Sequence, residues 1–139
     1  MTAKEYLRQL KYLNAEIDTK YQELEQIRAS IGIKASVADD IGGGRSSNIS
    51  DPTADMAIKI NSLERYINRK IDKLIALRTK ITKQIDGMDN QTYRTILICR
   101  YILMQPWDNI AETMGYSTQN CYIIHGKALQ EFYRKYLRK

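Results

Sequence analysis

Cys121 and the chain's single histidine, His125, stand four positions apart, and their side chains are the first in the sequence able to do chemistry. On a helix this spacing puts both on one face. A thiolate beside an imidazole is part of a metal site or of a nucleophile–base pair. Two ligands do not complete a zinc site, which takes three or four, and the only further cysteine, Cys99, lies far upstream. Both cysteines fall inside apolar stretches, so reduced, buried and therefore inert thiols are expected. His125 then reads as a packing or polar-bonding group. The run GGGRSS at 42–47 invites a phosphate-cradling reading, but that pattern needs a Gly-Lys-Ser/Thr ending and a preceding strand. No carboxylate pair, triad or phosphate loop remains, so neither an enzyme nor a cofactor or metal is expected.

The elements that position these residues are read from periodicity. Thr2 and Glu5 form a capping box. Leu7, Leu10, Asn14, Ile17, Tyr21, Leu24, Arg28 and Ile31 then step by three and four, a heptad-like stripe with polar interruptions, and Asn14 is a candidate for fixing its register. Gly32 is expected to end this helix after about 29 residues. Residues 32–51 read as a flexible Gly/Ser loop, with Gly42, Gly43 and Gly44 followed by Ser46, Ser47 and Asn48. Asp51-Pro52 reads as an N-cap and first helical residue. A second helix of roughly 35 residues, striped by Ile60, Leu63, Ile67, Ile71, Leu74, Leu77, Ile81, Ile85 and Met88, is expected to stop at Gly87. The two can pair as an antiparallel hairpin, or each stripe can meet a second copy of the chain. Residues 1–88 thus form one expected domain and 89–139 another.

The second domain is punctuated more closely. Asp89 is expected to cap a helix over about 90–104, with Ile96, Leu97, Tyr101 and Ile102 inward. Pro106 starts a helix from Trp107 to Met114, with Ile110, Ala111 and Met114 on its apolar face and Trp107 as its anchor. Gly115 ends it. Ser117 caps a third helix with Cys121, Ile124, Ala128, Leu129 and Phe132 inward. Two helices joined by Gly115-Tyr116-Ser117 make a helix-turn-helix. The fold expected is all-α: two long N-terminal helices, then this module.

Net charge is +6, unevenly spread. Residues 1–31 balance, 32–52 carry −1, 53–88 carry +4 and 89–139 carry +3. The excess favours a polyanionic partner, without separating nucleic acid from acidic protein or membrane surface. The start MTAKEYLRQL has no signal-peptide core, and no run of about 18 apolar residues occurs, so a cytoplasmic chain without a membrane span is expected.

The run WDNIAETMGYSTQNCYIIHGKAL closely resembles the C-terminal helix-turn-helix of bacterial sigma factors, the module that reads the upstream promoter element and touches the polymerase. Ile110-Ala111, Gly115, Ser117, Cys121 in place of a small aliphatic residue, and Lys127-Ala128-Leu129 carry the resemblance. Residues 93–107, YRTILICRYILMQPW, look like the helix that leads into that module. More narrowly, Tyr116-Ser117 and Ile124-His125-Gly126-Lys127-Ala128-Leu129 are similar to the ending of small sigma-like regulators from phages and prophages of Gram-positive bacteria, the ArpU-type late-gene regulators and their relatives. The resemblance is strong over 93–132, weaker over 52–92 and absent over 1–51. It implies a sequence-specific DNA-binding regulator of phage or prophage genes in a bacterial host cell, with RNA polymerase as a further partner and homo-oligomerisation through the long helices as an option.

With Cys121, Ile124 and Ala128 inward, the outer face of the last helix presents Thr118, Gln119, Tyr122 and, at its edge, Ile123. Recognition helices read base edges with such N-terminal positions, and the matching sigma positions are the base-reading ones. Gln119 suits an adenine edge, and Thr118 a thymine methyl or a phosphate. The sigma module usually carries an arginine where this chain has Tyr122, so the usual promoter sequence is not implied. Ser117, Lys127, Arg134, Lys135, Arg138 and Lys139 suit phosphates. Tyr133 and Tyr136 read as packing groups. The basic residues from Lys59 to Lys83 read as a solvated face, an extended DNA footprint being the alternative. Two other classes remain open: a DNA-packaging protein of the small-terminase kind, and a coiled-coil assembly protein whose helix-turn-helix binds only protein.

Overall fold

The structure is a computed structural model that describes the backbone of residues 1–41 and 52–139, and the side chains of 1–32 and 53–139. It is all-α. In order come α1 (Ala3–Ile41), α2 (Pro52–Asp86), α3 (Gln91–Leu97) continued by a π-helical turn (Ile98–Ile102), α4 (Trp107–Met114), and α5 (Thr118–Phe132) continued by a second π-helical turn (Tyr133–Leu137). The expected glycine-rich and serine-rich positions 42–48 and the Asp51 cap lie outside the described residues. No described helix is long and apolar enough to cross a membrane.

Local chemistry explains most of the boundaries. At the start of α1, Thr2 N–H donates to Glu5 Oε2 at 2.9 Å and Glu5 N–H to Thr2 Oγ1 at 3.1 Å, a closed capping box. Pro52 opens α2, as its missing amide allows, and Gly87 follows its end. Three expectations need correction. The helix expected to end at Gly32 runs on to Ile41, because an interior glycine costs only about 1 kcal/mol and no proline follows to stop propagation. The cap of α3 is Asn90 rather than Asp89: Asn90 Oδ1 accepts from Tyr93 N–H at 3.1 Å. Asparagine caps as well as aspartate does. The single helix expected over 90–104 is likewise shorter, winding into a π turn after Leu97 and ending at Ile102.

The chain groups into two units. One comprises Met1–Asn14 and Lys73–Lys139. Its core joins Leu7 and Leu10 of α1, Ile81 and Ile85 of α2, Met88, Ile96 and Leu97 of α3, Ile110 of α4, and Cys121, Ala128 and Phe132 of α5, all at most 2% exposed. Tyr6 donates its hydroxyl proton to Gln84 Oε1 at 2.8 Å and packs on Phe132 with ring centroids 5.9 Å apart. Phe132 also packs on Tyr136 at 5.1 Å.

The other unit, Ala15–Asp72, buries Ile17 and Leu24 of α1 and Ile67 of α2. Its α1 and α2 segments run antiparallel: Glu16 meets Lys70 at 3.7 Å and Arg28 meets Glu64 at 2.5 Å. Tyr66 donates to Glu16, holding that carboxyl below its ordinary range with help from Lys70 and Lys20. These pairs are largely solvent-exposed and screened by water; the buried stripe carries the association. Of the α1 stripe, Tyr21 and Arg28 are exposed.

Candidate nucleic-acid interface

The α4–turn–α5 segment follows from its punctuation. Pro106, extended at φ −68° and ψ 157°, caps α4 and accepts at its carbonyl from Asn109 and Ile110 N–H. Gly115 adopts φ 72°, a left-handed conformation that costs an L side chain about 1–2 kcal/mol and glycine nothing comparable. The turn then closes with Tyr116 N–H donating to Ala111 carbonyl at 3.1 Å. Ser117 restarts the helix: its Oγ accepts from Asn120 N–H at 3.1 Å and its carbonyl from Cys121 N–H at 3.0 Å.

One face of α5 is fixed by burial. Cys121, His125, Ala128 and Phe132, spaced by four, three and four, are all buried. Cys121 and His125 share that face, with no hydrogen bond between them. Burial pushes the Cys121 thiol up, away from the thiolate. His125 Nε2 shares a 2.7 Å hydrogen bond with the Tyr101 hydroxyl. Burial, reinforced by the charges of Lys4, Arg100 and Arg8, lowers His125 to about 4, and burial raises Tyr101 to about 12. Both are therefore neutral near pH 7. Among the described residues no group of three or more His, Cys, Asp or Glu side chains is placed to hold a metal ion.

The opposite face is open. Gln119 is exposed, Tyr122 is 51% exposed and Ile123 is 53% exposed. Thr118 is half-buried. Trp107, only partly buried, supports this face by edge-on contact with both Tyr122 at 5.1 Å and His125 at 4.8 Å. From Gly115 to Gln130 the chain carries no carboxylate; the acidic groups nearest in sequence are Asp108 and Glu112 on α4, and Glu131.

The six phosphate candidates differ in availability. Lys127 is exposed and makes no hydrogen bond or ion pair among the described residues. The Ser117 hydroxyl oxygen is occupied in capping. Arg134 grips Glu131 through two contacts, at 2.5 and 3.1 Å, and Lys135 donates to the Gly87 carbonyl. Arg138 and Lys139 are exposed. Of the basic residues on α2, Lys70 is engaged by Glu16, whereas Lys59, Arg65, Arg69, Lys73, Arg78, Lys80 and Lys83 are exposed.

One group escapes a reading by segment. Arg8, Lys11 and Arg100 line a common cavity. Residues 1–31 balance in charge, which conceals that Lys4, Arg8 and Lys11 recur at the spacing of a single helix face. That spacing is the signal that would have found them.

Searches of curated proteins and of solved structures return no match to the chain. A family model described as "Protein of unknown function (DUF1492)" matches residues 32–133, well over half of the sequence, and the chain belongs to that family.

Proposed function

We propose that this chain is a sequence-specific DNA-binding regulator of phage or prophage transcription, with α4, the Gly115 turn and α5 working as a sigma-like helix-turn-helix. The observation that carries the reading is the outer face of the first turns of α5: Gln119, Tyr122 and Ile123 exposed, no carboxylate among them, on a helix whose other face is locked into the core. A face with those properties enters the major groove without repelling phosphates. Gln119 pairs with an adenine edge, Ile123 and Tyr122 meet thymine methyl groups, and Thr118 serves at the margin. Lys127 is the first phosphate contact because no hydrogen bond or ion pair among the described residues competes for it. Arg134 and Lys135 must leave Glu131 and the Gly87 carbonyl to join it. Contact with RNA polymerase belongs to the same reading, on the resemblance to sigma factors.

The test is selection of duplexes from a random pool, followed by anisotropy titration of the selected site. Binding weakens steeply with salt. Lys127→Ala weakens all sequences alike and lowers the slope of log K against log salt by about 1, whereas Gln119→Ala relaxes discrimination at one base pair by about 1–3 kcal/mol. Absence of binding at low salt overturns the reading.

A further inference from the structure

A cavity of about 90 Å³ lies among Leu7, Arg8 and Lys11 of α1 and Arg100, Tyr101 and Met104. Three of its six lining side chains are cations and none is a carboxylate. Arg8 and Lys11 stand three apart on one edge of α1, where like charges repel unless an anion lies between them. Arg8 is half-buried, yet neither it nor Lys11 makes an ion pair or hydrogen bond among the described residues. Arg100, by contrast, is aimed: one Nη donates to the Gln105 carbonyl at 3.0 Å and its guanidinium lies 4.7 Å over the Trp107 ring. That leaves most of its five N–H donors for a further acceptor. Two of these cations, Arg100 and Arg8, together with Lys4, add to burial in keeping the neighbouring His125 uncharged.

We infer that this cavity is a phosphate-binding site and that its occupant is a backbone phosphate of the DNA bound by α5. The inference rests on the DNA-binding reading above and adds a contact from α1, outside the helix-turn-helix. A cavity of about 90 Å³ has room for a tetrahedral oxyanion. A planar guanidinium flanked by two further cations is suited to phosphate oxygens. The cavity is also tied to the reading face: Trp107 lies under Arg100 and against Tyr122, so one ring connects the two. A phosphate held here fixes the register of α5 in its groove while carrying no base information itself.

Trp107 is the chain's only tryptophan and touches Arg100, so its emission reports on the cavity. Inorganic phosphate, titrated against chloride at constant ionic strength, should change Trp107 fluorescence saturably. The Arg8→Gln/Lys11→Gln variant should abolish that response. In anisotropy the same variant should bind every duplex about tenfold more weakly, with a salt slope lower by about 1. An unchanged melting temperature checks its fold; should it melt early, Lys11→Gln alone, at an exposed position, carries both measurements. A saturable phosphate response with DNA binding unaltered in the variant overturns the backbone assignment and leaves a site for free phosphate. No phosphate response, together with unaltered DNA binding, overturns the site while sparing the helix-turn-helix reading. Failure of the unmodified chain to bind DNA overturns that reading and the backbone assignment together, and the phosphate titration still judges the cavity.

Discussion

Replacing His125 with glutamine should flatten the loss of stability that mild acid causes. In the folded chain the imidazole is 8% exposed, shares a hydrogen bond with Tyr101 and is lowered to about 4, first by burial and then by Lys4, Arg100 and Arg8. In the unfolded chain it titrates at its ordinary 6.5. The unfolded state therefore binds the proton first, so stability is fully present above pH 6.5 and is lost as pH falls toward 4. At ~1.4 kcal/mol per decade the whole drop is worth about 3 kcal/mol, and about 2 kcal/mol of it accrues by pH 5. Residual contact of the ring with water brings the latter nearer to about 1 kcal/mol. Glu16, held low by the Tyr66 hydrogen bond, and Glu131, held low by Arg134, lose their contributions only as pH falls below the ordinary carboxyl value of 4.5, beneath the range from pH 7.5 to pH 5. Urea unfolding of both proteins at steps from pH 7.5 to pH 5 measures the difference in slope, which is independent of the fixed cost of the substitution. Parallel stability profiles across that range would refute the account of His125 as a buried neutral base.

Other perturbations act on separate parts of the same unit. Phe132→Ala, at a fully buried site touching Tyr6 and Tyr136, should cost about 3–5 kcal/mol in chemical denaturation. Gly115→Ala should cost about 1–2 kcal/mol from the left-handed backbone alone, since a Cβ there meets nothing within 4 Å; a melting temperature equal to that of the unmodified chain would contradict this. Cys99 and Cys121 are buried with thiols raised by burial, so iodoacetamide should label them only at the rate at which the chain opens, and fully in denaturant, as mass spectrometry reads directly.

What could be read from the sequence was whatever local chemistry decides. The Thr2–Glu5 box, the proline opening α2, the stop at Gly87 and the Gly115–Ser117 turn each depend on residues within a few positions of one another, and each stands where the pattern put it. Of the inward positions expected on α5, Cys121, Ala128 and Phe132 are buried, Ile124 and Leu129 are half-buried, and His125 takes the remaining buried place. Boundaries that hinge on small energy differences could not be read this way: Gly32 is a weak breaker inside a helix of 39 residues, and Asp89 and Asn90 are nearly equivalent caps. The Tyr101–His125 bond and the meeting of Arg100 with Arg8 and Lys11 join residues far apart in the chain, and the spacing of Lys4, Arg8 and Lys11 announces only the α1 side of that cavity. The contact of Lys135 with the Gly87 carbonyl was hidden for the same reason, whereas Arg134 and Glu131 stand only three apart; both partnerships make candidates of equal charge unequal in availability.

The π turn at Ile98–Ile102 makes the chain keep count. There Leu103 N–H reaches back five residues to the Ile98 carbonyl, at 2.9 Å, where an α-helix would reach four. Such a turn is an α-helix carrying one surplus residue. Deleting a single residue within it would restore a regular helix and slip the turn's own side chains by one position relative to their partners. Arg100 and Tyr101 would then no longer both meet their partners, the Trp107 ring and His125. Homologous chains are thus expected to tolerate exchanges of residue type here far better than changes of length.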